Sequence, residues 1–157
     1  MAAALPKAGR ADDMVAALSQ VGADELIPLQ TNRATVAARP GRLGRYQKLV
    51  IESAKQCRRA HLLHISGPVN FQQVLSGDHD LRLIAQPDGQ DLDVARLDAA
   101  GRVLILIGPE GGWSDVELRL AAAHGCMPWC IGPHLMRIEI AAPAAVAVAR
   151  YLTRSSL

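Results

Sequence analysis

Residues 103–117 read Val-Leu-Ile-Leu-Ile-Gly-Pro-Glu-Gly-Gly-Trp-Ser-Asp-Val-Glu: an apolar run, a glycine-rich turn and a helix start in one continuous stretch. A run with no polar residue on either side must be covered on both faces, which is the condition of a central strand in a parallel sheet. Ser114 and Glu117 form an S-x-x-E capping box, so a helix begins there and continues to His124, with Gly125 closing it. A strand that feeds a helix through a short loop is the repeating unit of α/β proteins.

Upstream, Asp12 and Asp13 open a segment whose apolar residues Met14, Val15, Leu18 and Val21 recur at helical spacing up to Gly22. A strand is expected at Leu26–Leu29, a long amphipathic helix at Arg42–Arg59, and a strand at His61–Ile65. After these come a short helix opened by Pro68, a strand at Leu81–Ala85 and a polar loop rich in Asp and Gly. Downstream of the decisive stretch, a strand at Met127–Ile131 precedes a helix of alanines and valines that reaches Arg154, with Pro143 in its first turns. Strands and helices alternate throughout, so the expected class is α/β with a mainly parallel sheet and helices on both faces.

The 157 residues, half of them apolar and a fifth charged, suit one domain spanning 1–157 and exclude a disordered chain. The longest apolar run, Val103 to Ile107, is too short to cross a bilayer, so no membrane association is expected. The N-terminal residues lack the charged and apolar layout of a secretory signal, which predicts a cytoplasmic protein. Cys57, Cys126 and Cys130 are odd in number and without metal-ligand spacing, so they read as reduced, structural thiols with no metal.

Charge is unevenly distributed. Between Arg33 and Arg59 lie eight basic residues and one acid, Glu52, a net +7; the rest of the chain holds nine basic and fourteen acidic residues, a net −5. On a helical projection Leu43, Tyr46, Leu49, Val50, Ala54 and Cys57 share one side, and Arg42, Arg45, Lys48, Lys55 and Arg59 cluster opposite. With Arg33, these make a basic stripe of the kind that approaches phosphates from one side; the plainer alternative is a solvated helix face.

Ligands of open parallel sheets bind beyond the carboxyl ends of the strands, and two loops have a suitable composition. The first runs from Ile107 through Gly108, Pro109, Glu110, Gly111 and Gly112, and its three glycines let backbone groups approach a ligand closely. The second, Ile131 to Arg137, includes Gly132, Leu135 and Met136 and places Arg137 and Glu139 near the start of the last helix. Neither loop has the spacing of a phosphate-binding Walker loop or of the GxGxxG dinucleotide fingerprint.

The segments LIGPEGGW (residues 106–113) and IGPHLMRIE (residues 131–139), followed by an alanine-rich terminal helix, resemble the SPOUT methyltransferases. The likeness is greatest to the family that methylates N3 of a uridine in bacterial 16S ribosomal RNA. LPKAGR, VGADELIPL, NRA and RYQKLVIESAKQCRR extend it over nearly the whole chain. The resemblance implies a deep trefoil knot over about residues 103–157, an exception to the rule that chains do not thread. It also implies S-adenosylmethionine bound among the two loops, a homodimer, and ribosomal RNA or the small ribosomal subunit as partner. Members usually carry an N-terminal RNA-binding barrel, and this chain begins where that domain would be ending. Ala17, Gln20, Leu63 and Ile140 stand where the family commonly has Lys, Glu, Pro and Thr.

Methylating uridine N3 leaves negative charge on the flanking carbonyl oxygens, which a cation stabilises in the transition state. Arg137 is the expected donor, unless it is paired with Glu139 or caps a loop. Glu110 is expected to orient loop amides or assist proton removal, and Glu139 completes the expected catalytic set. Ribose 2′-O methylation is disfavoured because those enzymes usually have Ser-Leu-Asn where this chain has Leu135-Met136-Arg137. A third reading is a cofactor-binding or ribosome-associated module without turnover.

Overall fold

The computed structural model describes residues 1–36 and 43–154. Seven parallel strands form one sheet: β1 (Ala2–Ala3), β2 (Glu25–Gln30), β3 (His64–Ile65), β4 (Val69–Asn70), β5 (Leu81–Gln90), β6 (Val103–Ile107) and β7 (Met127–Trp129). Their order is β3-β2-β1-β6-β5-β7, with β4 also pairing β2. The helices are α1 (Ala8–Gln20), α2 (Leu43–Gln56), α3 (Phe71–Leu75), α4 (Val94–Ala99), α5 (Asp115–Ala123) and α6 (Ile138–Arg154).

Alternation along β6 builds the two halves of the core. Leu104 and Leu106 point into a cluster with Ala2, Ile84, Phe71 of α3 and Ala121 of α5. Ile105 and Ile107 point the other way, against residues of α1, α2, α4 and α6 such as Met14, Val50, Leu97 and Ala145. Successive side chains of a strand face opposite sides, so an all-apolar strand carries helices on both faces, as expected.

Several elements differ from the expectation. β1 is only two alanines long, yet it is fully buried at the centre of the sheet, where Ala2 pairs with Ile27 and Leu106 and Ala3 with Pro28 and Ile107. So short a segment has no periodicity to read. α1 starts at Ala8, a turn before the aspartates, and α3 is capped by Asn70 and Gln73 in a capping box rather than opened by Pro68. The polar loop after β5 contains α4, capped by the Asp93 side chain. β7 stops two residues early, at Trp129.

The largest departure is in β5. Leu83, Ile84 and Ala85 pair with Met127, Pro128 and Trp129, but Gln90 returns to pair with Trp129 as well. Residues 86–89 therefore bulge out of the ladder before the strand closes again, with the Cys130 amide donating to the Gln90 carbonyl at 2.9 Å. The return requires Gly89, because a Cβ there would sit 2.5 Å from the Trp129 carbonyl carbon and 2.7 Å from the Cys130 nitrogen.

Gly89→Ala is expected to lower stability by about 2 kcal/mol, since the obstacle is backbone that cannot turn aside. Gly44→Ala, on a helical surface with nothing within 4 Å of the added methyl, is expected to raise it by ~0.5–1 kcal/mol. Urea unfolding monitored by circular dichroism measures both, and a neutral Gly89→Ala would contradict the close approach.

Candidate functional site

A cavity of about 470 Å³ opens at the carboxyl ends of β5, β6 and β7. Its volume lies in the ordinary range of small-molecule sites. Three chain segments wall it: the bulge Ala85–Asp88, the loop 107–113, and the stretch 130–138 that leads into α6.

The first loop is held from behind by a network around Glu117, whose side chain is buried in the first turn of α5. One carboxylate oxygen accepts from the Asn32 backbone amide at 2.9 Å; the other accepts from the Ser114 amide at 2.8 Å and the Ser114 hydroxyl at 2.7 Å. The capping box read from the sequence is therefore formed, and it is also a crosslink from the end of β2 to the start of α5. Arg33 adds to it, donating from Nη1 to the carbonyls of Gly111 and Trp113, both at 3.1 Å. Trp113 folds back over the loop: its indole donates to the Ala85 carbonyl at 3.0 Å, and its ring lies 5.1 Å from that of Phe71. Gly108 is needed beneath it, as a Cβ there would stand 2.9 Å from the indole.

Of the expected cofactor-binding residues, Ile107, Gly108, Pro109, Glu110, Gly112, Ile131, Gly132, Leu135 and Met136 line the cavity, and so does Arg137. Gly111 does not. Its open side faces Arg33, whose Cβ lies 3.3 Å from the position of an added methyl, so a side chain at Gly111 would press on the loop's tether rather than fill ligand space. Glu139 is also absent from the lining; it is buried in the first turn of α6 and pairs with Arg10 at 3.4 Å. The sequence reading omitted Gln86, Pro87 and Asp88, because a bulge that leaves and rejoins its own strand looks like a polar loop in one dimension. It also omitted Trp113, Cys130 and His134, which line the cavity.

Arg137 sits at the mouth with its carbonyl accepting the Ile140 and Ala141 amides at 2.9 and 2.8 Å. Its guanidinium is exposed and makes no ion pair among the described residues, so the alternative pairing with Glu139 is not formed. Glu110 lies 3.8 Å from Arg10. Leu135, 86% exposed, projects beside the opening. Cys130 lines the cavity and donates to the Gly132 carbonyl at 3.3 Å, whereas burial pushes the Cys126 thiol up to about 11. Among the described residues no group of three or more His, Cys, Asp or Glu could hold a metal ion, and no helix is long and apolar enough to cross a membrane.

The basic stripe is less free than the sequence implies. Arg45 is paired with Asp12 of α1, an acid outside the segment. Arg59, with a side chain only 15% exposed, donates to the carbonyls of Ser19 and Ala23 at 3.1 and 2.6 Å and pairs with Asp24. It therefore ties the end of α1 instead of facing solvent. Lys48 and Lys55 remain exposed without an ion pair among the described residues; Arg42 lies outside the described residues.

Comparison with known proteins agrees with this architecture. Residues 1–150 match the family model described as an RNA methyltransferase domain. The chain is 30% identical over 164 residues to ribosomal RNA small subunit methyltransferase E of Synechocystis sp., aligning 99% of this chain with 54% of that protein. A Legionella pneumophila protein solved with bound cofactor SAM superposes with a TM-score of 0.82 at 27% identity, over 96% of this chain and 65% of that one. Ribosomal RNA small subunit methyltransferase E of Neisseria gonorrhoeae, bound to S-adenosyl methionine, shares the fold with a TM-score of 0.87 at 24% identity, over 96% of this chain and 64% of that one. The chain thus spans about half to two thirds of the length of these proteins. With nearly all of its sequence inside that family match, the chain belongs to the RNA methyltransferase domain family.

Proposed function

We propose that this chain is a single methyltransferase domain, residues 1–157, that takes S-adenosylmethionine and methylates ribosomal RNA in the cytoplasm, at N3 of a uridine of 16S RNA. The observation that carries the proposal is a cavity at the carboxyl ends of three parallel strands, walled by glycine loops, with the guanidinium of Arg137, which makes no ion pair among the described residues, at its mouth. The walls suit this cofactor. Ile107, Trp113, Leu118 and Met136 offer apolar surface to an adenine, and the carboxylates of Asp88 and Glu110 favour a ligand that carries sulfonium and ammonium charge. The same carboxylates disfavour a polyphosphate. The family match and the SAM-bound relative with this fold support the reading. A deep trefoil knot over about 103–157 belongs to the same proposal, supported by the family likeness.

Bound S-adenosylmethionine supplies an electrophilic methyl group. The chain's part is to hold the uracil ring at the mouth, to stabilise charge and to receive a proton. Arg137, free to donate from a planar fork, is placed to meet the uracil oxygen on which negative charge grows as N3 loses its proton. Glu110, half exposed at the rim, is positioned to orient the base or take up that proton. Glu139, buried away from the cavity and paired with Arg10, serves the site through its place in the turn that carries Arg137 rather than by touching the base. Ile140 and Leu135, exposed apolar side chains near the mouth, together with Val148 and Tyr151 farther along α6, support a homodimer that covers this face.

The alternative of a binding module without turnover draws support from Arg45 and Arg59, whose charges are already engaged. Transfer of labelled methyl groups to small ribosomal subunits from a strain lacking the modification separates the two: incorporation supports the enzyme, and cofactor binding without incorporation supports the module.

S-adenosylhomocysteine is expected to bind without metal and to slow alkylation of Cys130 by iodoacetamide about tenfold or more, while half-buried Cys57 reacts at an unchanged rate and Cys126, with its raised pKa, stays unmodified. Peptide mass spectrometry reads all three thiols, and an unprotected Cys130 in the presence of saturating ligand would place the ligand elsewhere.

For RNA, the engaged arginines shift the expected contacts to the lysines. Replacing Lys48 and Lys55 with Ala is expected to reduce the salt slope of RNA binding by roughly one unit per lost phosphate contact, with the melting temperature preserved. Arg59→Ala is expected to lower stability instead, by about 1–3 kcal/mol, because it strips donors from buried carbonyls. An unchanged slope in the lysine variants would reduce the stripe to a solvated face.

A further inference from the structure

The two loops that wall the cavity are not joined to each other directly: among the described residues, no hydrogen bond runs between Gly108–Gly112 and Ile131–Arg137. The first loop is tethered through Arg33 and the Glu117 network on the side of β2, and the second continues into α6. What bridges them is Arg10, in the first turn of α1. Its Nη1 lies 3.4 Å from Glu139 Oε1 and 3.8 Å from Glu110 Oε1, so one guanidinium faces a carboxylate of the first loop and a carboxylate of the helix turn that follows the second. Glu110 lines the cavity, while Glu139 is buried two residues past Arg137 and its second oxygen, Oε2, is buried without a partner. A buried carboxylate with a single long hydrogen bond is held by electrostatics more than by saturation of its acceptors, and that leaves its position dependent on the one cation beside it.

We propose that Arg10 is a positioning residue that sets the width of the cavity mouth by clamping Glu110 of the first loop to Glu139 in the first turn of α6, directly after the second loop, thereby fixing Arg137 at the rim. The clamp rests on the reading of this cavity as the S-adenosylmethionine site, but it is a statement about α1, an element that contributes no lining residue. Arginine is suited to the place because a fork of donors reaches two carboxylates that a lysine, a point charge, meets one at a time. Removing the guanidinium leaves Glu139 buried and unpaired, and it separates the two loops at the same time. These two consequences are distinguished by a second substitution.

The test compares wild type, Arg10→Ala, Arg10→Lys and the double variant Arg10→Ala/Glu139→Gln by calorimetric titration with S-adenosylhomocysteine, thermal melting and amide hydrogen exchange. Arg10→Ala is expected to weaken binding about tenfold and to speed exchange at the amides of Gly108 to Gly112 while α2 exchanges as before. Arg10→Lys recovers part of the affinity. The double variant relieves the unpaired carboxylate and recovers the melting temperature, yet its affinity stays about tenfold below wild type because the loops remain unbridged. Wild-type affinity in Arg10→Ala overturns the clamp, and so does an affinity that returns together with stability in the double variant. If the wild-type protein takes up no S-adenosylhomocysteine, the cofactor reading fails on its own, and the exchange measurement alone decides the clamp: unchanged protection of Gly108–Gly112 in Arg10→Ala overturns it.

Discussion

The carboxylate of Glu117 gathers three donors from two distant parts of the chain, and the shape of the cavity depends on it. Asn32 follows β2 and Ser114 precedes α5, so this acceptor ties the segment after β2 to the loop after β6, beside the hydrogen bonds that Arg33 makes to Gly111 and Trp113. The anion is well placed energetically. It lies at a helix N-terminus, where the free amides and the helix dipole favour negative charge, and its hydrogen bonds are short and charge-assisted. With the loop pinned from behind, Trp113 can close over Gly108 and brace the bulge of β5 through the Ala85 carbonyl. The front of the loop is then left to face the cavity.

Basic residues divide according to what surrounds them. Arg33 and Arg59 donate to backbone carbonyls of a loop and of a helix end, Arg45 meets Asp12, Arg150 joins Arg59 on Asp24, and Arg10 stands between two carboxylates. A guanidinium is suited to such work because it offers several donors in a fixed plane and cannot be deprotonated. The cations left exposed without an ion pair among the described residues include Arg137 at the cavity mouth and Lys48 and Lys55 on α2. The positive charge counted along the chain therefore overstates the charge available to a nucleic acid.

How much was legible before folding differs from element to element. The two-sided burial of β6 follows from five consecutive apolar residues, and the cap of α5 from Ser114 and Glu117, since both are local patterns with a single physical solution. The glycine loop and the stretch to Arg137 stood out for the same reason, composition at strand ends, and nine of the ten positions expected to hold a cofactor line one cavity. The bulge at residues 86–89 was not legible, because it exists only where Gly89 passes against the backbone of Trp129 and Cys130, forty residues away in sequence.

The amino-acid sequence by itself determined the class of the fold, the strand-loop-helix units and the identity of the two loops, because hydrophobic period, capping and glycine content act over a few residues. Tertiary structure alone decided which charged groups are free. Arg45 and Arg59 look like solvent-facing members of a helical stripe until α1 packs beside α2 and brings Asp12 and the carbonyls of Ser19 and Ala23 to them. Likewise, Glu139 looks like a partner for Arg137, two residues away, until Arg10 arrives from the other end of the chain. Pairing between charges depends on distance in space, and sequence spacing fixes that distance only within one helix or one turn.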